Sequence, residues 1–227
     1  MQNIKCIFLK ENIFTMTKKE RYIYITDYFS RHNPDAASEL RYENAYQLLV
    51  SVILSAQCTD KRINKITPAF FEQYPTPQDL QKAAIGDIYD LIRSVSYPNN
   101  KSKHLQGMAC MLMNDFEGVV PDTVEELQQL PGVGRKTANV VASVVFNKPT
   151  MAVDTHVFRV SARIGLVVNA KTPLQAEKQL VRYFSPDIIP LAHHWLVLHG
   201  RYICTAKKPK CQECGIKKAC SYFKYSL

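Results

Sequence analysis

The chain has no run of about 18 apolar residues, no low-complexity tract and no internal repeat, which argues against a helical membrane span, a flexible linker and a solenoid. Convincing alternation of apolar and polar residues is also missing, so half-buried strands are not expected. Acidic residues are scarce beside basic ones, 20 Asp and Glu against 29 Lys and Arg, for a formal charge of +9. That sign suits a polyanionic partner, although a solvated basic surface explains it in many proteins. No convincing signal for secretion or organellar import is present: the first residues are short of arginine, contain Glu11, and carry too brief an apolar stretch. A cytoplasmic protein is expected.

What is present reads as helices joined by short loops. Leu48, Leu49, Val52, Ile53 and Ala56 form one strongly apolar helix, and Leu105, Met108, Ala109, Leu112, Met113 and Phe116 keep helical spacing over three turns. Thr76-Pro77 and Thr172-Pro173 pair an N-cap with a first-turn proline. With 46% hydrophobic residues in 227, the chain can bury one large core or two modest ones in an all-α fold.

Only 8 glycines occur, and two of them, Gly132 and Gly134, flank a single apolar residue, Val133. Such a pair can turn the backbone through conformations that side chains forbid and leave amides pointing outward, a nest suited to a phosphate oxygen. Before it, Thr123 and Glu126 stand at capping-box spacing; after it, Lys136 to Phe146 places Ala138, Val141, Ala142 and Val145 on one helical stripe. Arg135 and Lys136 would then open the second helix. Lys136 is either a plain phosphate-binding lysine or a nucleophile. The second role needs a neutral amine, which partial burial and the helix N-terminus would favour.

Four of the seven cysteines, Cys204, Cys211, Cys214 and Cys220, are spaced C-x6-C-x2-C-x5-C. Four thiolates in so short a segment can wrap one compact centre, and an all-sulfur set favours iron-sulfur or zinc over hard cations, with disulfides as the other alternative. Lys207, Lys208 and Lys210 lie between the first two of these cysteines, so a centre there would fix a loop presenting them to phosphates. Cys6, Cys58 and Cys110 have no partner spacing; the last two read as small buried hydrophobes. Asp154, ahead of Thr155-His156-Val157, reads as a helix N-cap.

The wording Leu130-Pro131-Gly132-Val133-Gly134-Arg135-Lys136-Thr137-Ala138 resembles the helix-hairpin-helix of the endonuclease III family of DNA glycosylases. The segments around Asp154 and from His194 to Tyr202, and the cysteine spacing, resemble that family too, from about residue 18 to 222. The resemblance implies two helical lobes with the active site in the cleft between them: a six-helix barrel over 38–148 containing the helix-hairpin-helix at about 122–147, and a discontinuous cluster lobe of 17–37 and 149–227. Residues 1–16 have no clear family counterpart and are left as a tail or an upstream start.

The resemblance further implies a [4Fe-4S] cluster on the four cysteines, monomeric action on duplex DNA with damaged bases or abasic sites, and chemistry at Lys136 and Asp154. His156 is then structural. Gln57 matches the residue that fills the hole left by an extruded base, while Gly132, Val133, Gly134 and Arg135 would grip the backbone. The segment 95–101 departs from the family's Gly-apolar-Tyr wedge by placing Ser96 at the apolar position, inserting Pro98 and running one residue longer, so Tyr97 is a candidate substitute. The implied activity is glycosylase plus lyase on oxidised pyrimidines. A mismatch-type glycosylase, a non-catalytic helix-hairpin-helix module and an iron-sulfur electron carrier are the competing classes.

Overall fold

A computed structural model describes residues 16–225; Cys6 and nearly all of the N-terminal tail lie outside that range. Among the described residues the elements are α1 (Lys18–His32), α2 (Ala45–Ser55), α3 (Asp60–Gln73), α4 (Pro77–Lys82), α5 (Ile85–Ile92), α6 (Pro98–Asp115), α7 (Val124–Leu127), α8 (Arg135–Phe146), α9 (Thr155–Ile164), α10 (Pro173–Tyr183), α11 (Ile189–Tyr202) and α12 (Ser221–Tyr225), with a 3-10 turn at Lys217–Ala219. No strand is present among them, as the missing alternation implied.

Short polar side chains start these helices. Thr17, Asn44, Thr59, Thr76, Thr123, Asp154 and Thr172 each accept a backbone N–H from the residue three positions on, satisfying one of the amides that a helix start leaves unpaired. Pro77 and Pro173 occupy first-turn positions, as expected. The box expected at Thr123 is only half formed: Glu126 N donates to Thr123 Oγ1 (3.2 Å), but the Glu126 carboxylate takes the Thr123 hydroxyl (2.6 Å), not the cap amide.

The apolar surface separates into two clusters. One gathers residues of α2 through α8 around Leu48, Leu49, Leu54, Ile63, Phe70, Ile88, Leu105 and Val141. Here α4 and α5 pack on α6, and α2 on α8. The sequence of α2 explains its place at the centre, since eight of its eleven residues are buried and no polar face remains. The other cluster joins α1 to α9, α10 and α11 through Tyr22, Ile25, Phe29, Val157, Val160, Leu180 and Trp195. Hydrogen bonds stitch α1 to that distant sequence: Arg21 Nη1 donates to Gly165 O (2.9 Å), Tyr22 Oη to Leu166 O (3.1 Å), and Trp195 Nε1 to Asn33 O (2.8 Å).

Between the clusters runs a cleft of about 740 Å³, whose walls come from α2, α3 and α8 on one side and from α9 and α11 on the other. Two arginines make ion pairs from one cluster to the other. Arg135 of α8 grips Glu177 of α10 (3.1 and 2.5 Å), and Arg201 of α11 meets Asp60 at the start of α3 (2.6 Å) and Glu39 in the segment before α2.

Candidate active site

The cleft brings together three residues far apart in sequence, Gln57, Lys136 and Asp154. Each is placed by a helix end. Lys136 is the second residue of α8, Asp154 is the N-cap of α9, and Gln57 follows the C-cap of α2. Asp154 Oδ1 accepts from Val157 N (2.7 Å), which fixes the half-buried carboxylate while leaving its other oxygen for the cleft. Lys136 is exposed, so burial does not favour its neutral form in the free protein. Its position two residues into a helix explains this, because α8 turns its apolar stripe toward the first cluster and Lys136 away from it.

The hairpin also differs from the expectation in detail. Gly132 alone takes a left-handed conformation (φ +81°); Gly134 is an ordinary extended N-cap (φ −87°, ψ 174°). Val133 is buried in the first cluster, and its amide donates to Leu130 O (3.0 Å) instead of pointing outward. With glycine as N-cap, α8 has no side-chain cap, so an outside acceptor has the first-turn amides to itself. Arg135 is held in its bidentate pair with Glu177, so phosphate would have to compete with a carboxylate for it.

Sequence reasoning missed His193. It lines the cleft yet is only 6% exposed, and its Nδ1 has no hydrogen-bond partner. Burial pushes its pKa down to about 4, helped by the Lys136 and Arg201 charges and opposed by Asp154 and the Ala152 carbonyl. His194, beside it at 5.1 Å between ring centroids, is pushed to about 3 by burial and by His193. Both rings are neutral at neutral pH. A buried polar ring on an apolar helix leaves no periodic signature. His156 also lines the cleft, and its Nδ1 lies 3.3 Å from Arg159 Nη2. Its Cβ packs where a side chain on Gly200 would clash, at 2.9 Å, so α9 and α11 approach closely.

The four cysteines line one small cavity with Ile164, His199, Ile203 and Ile216, and none forms a disulfide. Burial first, and then the other three sulfurs, push the Cys214 thiol up to about 11. Burial raises the Cys220 thiol as well, and two such thiols beside two further sulfurs give a donor chemistry that suits a thiolate-ligated centre, although among the described residues no group is placed to hold a single metal ion. Cys58 packs against the first cluster but is not fully buried. It is half-buried at the cleft wall, with Sγ accepting from Ser96 N (3.3 Å). Lys207, Lys208 and Lys210 are exposed on a loop held by Arg163, whose guanidinium donates to Thr205 O (2.7 Å) and Ala206 O (2.9 Å).

Residues 50–186 match the model of the HhH-GPD superfamily of base excision DNA repair proteins. The endonuclease III of Rickettsia felis is 45% identical over 199 residues, covering 88% of this chain and 93% of that protein; that of Bacillus subtilis is 42% identical over 187 residues, covering 82% and 85%. Among solved structures, an endonuclease III trapped as a covalent intermediate with DNA superposes with a TM-score of 0.87 at 40% identity, covering 93% of this chain and 99% of the other. A thermostable thymine-DNA glycosylase superposes at 0.80 with 25% identity, covering 92% and 97%. With a cleft whose opposite walls supply a lysine and an aspartate, and with this likeness running through nearly its whole length, the chain belongs to the endonuclease III family of helix-hairpin-helix base excision repair proteins.

Proposed function

We propose that this protein is a bifunctional DNA glycosylase and abasic-site lyase that removes oxidised pyrimidines from duplex DNA through Lys136. The observation that carries the reading is the meeting of Lys136, Asp154 and Gln57 in one cleft. A damaged nucleotide rotates out of the stack into that cleft, and Gln57 fills the space it leaves. The neutral Lys136 amine attacks the sugar C1′ as the bond to the base breaks, and the base departs with a proton. Asp154, oriented by its capping bond, stabilises positive charge at the sugar and takes the proton that Lys136 sheds. The C1′–nitrogen adduct opens to a Schiff base. Loss of a C2′ proton then expels the 3′ phosphate, and water releases the lysine.

An exposed lysine is compatible with this scheme. Its proton can leave within the substrate complex, so the free protein need not hold the amine neutral. The hairpin amides, Lys207, Lys208 and Lys210 are assigned to phosphates, with Arg135 joining if Glu177 releases it. The two apolar clusters support a division into 38–148 and 17–37 with 149–227, and the protein is assigned to act as a monomer. Cys204, Cys211, Cys214 and Cys220 are assigned to hold a [4Fe-4S] cluster, which the resemblance implies and their shared cavity supports. When bound, it supplies a rigid four-point anchor for the basic loop, since the steps above are redox-neutral.

The test is borohydride trapping on a duplex carrying thymine glycol, with wild type and Lys136→Ala compared at equal iron content. A covalent adduct with wild type alone is expected. Trapping by both proteins would assign the chemistry to another amine, and tight binding without an adduct from either would leave a binding module or a different lesion class.

A further inference from the structure

Lys101 is 5% exposed, and a lysine so deeply buried ordinarily has a charged partner. Among the described residues no carboxylate pairs with it. Its Nζ donates instead to two carbonyls at the end of α2, Leu54 O and Ala56 O, each at 2.7 Å. Helix α2 has no basic residue in its last turn, and its C-cap, Ala56, is not left-handed. The ammonium of Lys101 therefore supplies both the donors and the positive charge that this helix end requires. Burial lowers its affinity for a proton, opposed by the nearby Cys58 sulfur.

Directly after that helix end comes Gln57, exposed and left-handed at φ +57°. Joined to it through Ser96 is Tyr97, 62% exposed and left-handed at φ +58°, which is the N-cap of α6 one turn before Lys101. Two non-glycine residues in this strained region persist only where their surroundings hold them. The hold is visible. Ser96 Oγ donates to Gln57 O (2.8 Å), Ser96 N donates to Cys58 Sγ (3.3 Å), and Lys101 N donates to Tyr97 O (3.1 Å). The backbones of both projecting residues are thus bonded into one unit, with Lys101 at its root.

We infer that Lys101 is a positioning residue which, through the α2 carbonyls and Ser96, locks Gln57 and Tyr97 into a single two-pronged element that enters the duplex when a nucleotide is extruded. The inference rests on the proposed glycosylase reading and assigns the aromatic prong to Tyr97, whose ring can stack on any base. Lys101 touches neither substrate nor reacting atoms. Its contribution belongs to opening the duplex, so its loss falls on paired substrates and spares those already unpaired.

The experiment compares kcat/KM for thymine glycol in a fully paired duplex and in a small unpaired bubble, using wild type, Lys101→Met, Lys101→Arg and Ser96→Ala, each checked by thermal melting. Lys101→Met is expected to lower activity on the paired lesion by about tenfold or more while changing the bubble substrate little; Lys101→Arg, which keeps two donors and the charge, restores part of the loss. Ser96→Ala, which leaves the helix end capped, shows the same selectivity on a smaller scale and stands in if Lys101→Met fails to fold. Equal losses on the two substrates, or no loss on either, would overturn the inference. A wild type inactive on both would instead overturn the glycosylase reading itself.

Discussion

At the scale of single residues, the cleft combines an exposed amine, a capped carboxylate and a buried imidazole, and each has a different electrostatic history. His193 is the one whose environment makes a prediction for stability. Its folded pKa of about 4 lies below the ordinary histidine value of 6.5, so the unfolded chain binds a proton before the folded one does. Stability attributable to His193 is therefore whole above about pH 6.5 and is lost as pH falls toward 4, by about 2 kcal/mol at pH 5. Denaturant midpoints measured from pH 7 to pH 5 should fall for wild type and fall less for His193→Gln, whose amide does not titrate. Identical slopes for the two proteins would mean that the ring is reached by water in the folded state. His194 adds to the same trend, and because His193 contributes to its shift, the difference between the two proteins reports the pair of rings.

At the scale of elements, the hairpin separates two glycines that the sequence presents as equals. A Cβ on Gly132 would meet His104 Cβ at 2.9 Å in a left-handed conformation, whereas a Cβ on Gly134 meets nothing within 4 Å. Gly132→Ala should thus destabilise the fold by about 1–2 kcal/mol, through strain and crowding. Gly134→Ala should leave melting unchanged and still weaken duplex binding, because the added methyl occupies the approach to the α8 amides. Melting curves and duplex titrations of the two variants check this pair of outcomes, and undiminished binding by Gly134→Ala would remove the phosphate from that position. The helices themselves were legible in the chain, since Thr76, Thr172 and Asp154 announce starts by local chemistry alone. Lys101 was half legible: it precedes Leu105 by four residues and so sits on the apolar stripe of α6, but only the fold reveals which carbonyls it serves. Arg135 with Glu177 and Arg201 with Asp60 were not legible, because pairing across 42 and 141 residues depends on how the two clusters meet.

At the scale of the whole molecule, positive charge is concentrated near the four cysteines, where residues 201–227 carry Arg201, Lys207, Lys208, Lys210, Lys217, Lys218 and Lys224 against Glu213 alone. The loop bearing Lys207, Lys208 and Lys210 is closed at its base by Lys210 N donating to Ile203 O (2.9 Å) and across its middle by Thr205 Oγ1 donating to Lys208 O (2.7 Å). Arg163 fastens it to α9, so the three ammonium groups project from a braced surface and not from a free strand. Each lysine that neutralises a phosphate releases about one counterion, which sets the steepness with which affinity falls as salt rises. Replacing Lys207, Lys208 and Lys210 together by Glu should weaken duplex binding at low salt and reduce the slope of log affinity against log salt by roughly two to three units. Lesion and sequence preference should stay as they were, because phosphate contacts carry no base information. Titrations at several salt concentrations, with iron content matched to wild type so that the loop is known to be anchored, decide the matter: an unaltered slope would show that these lysines face solvent in the complex, and that the hairpin and the cleft alone bear the DNA.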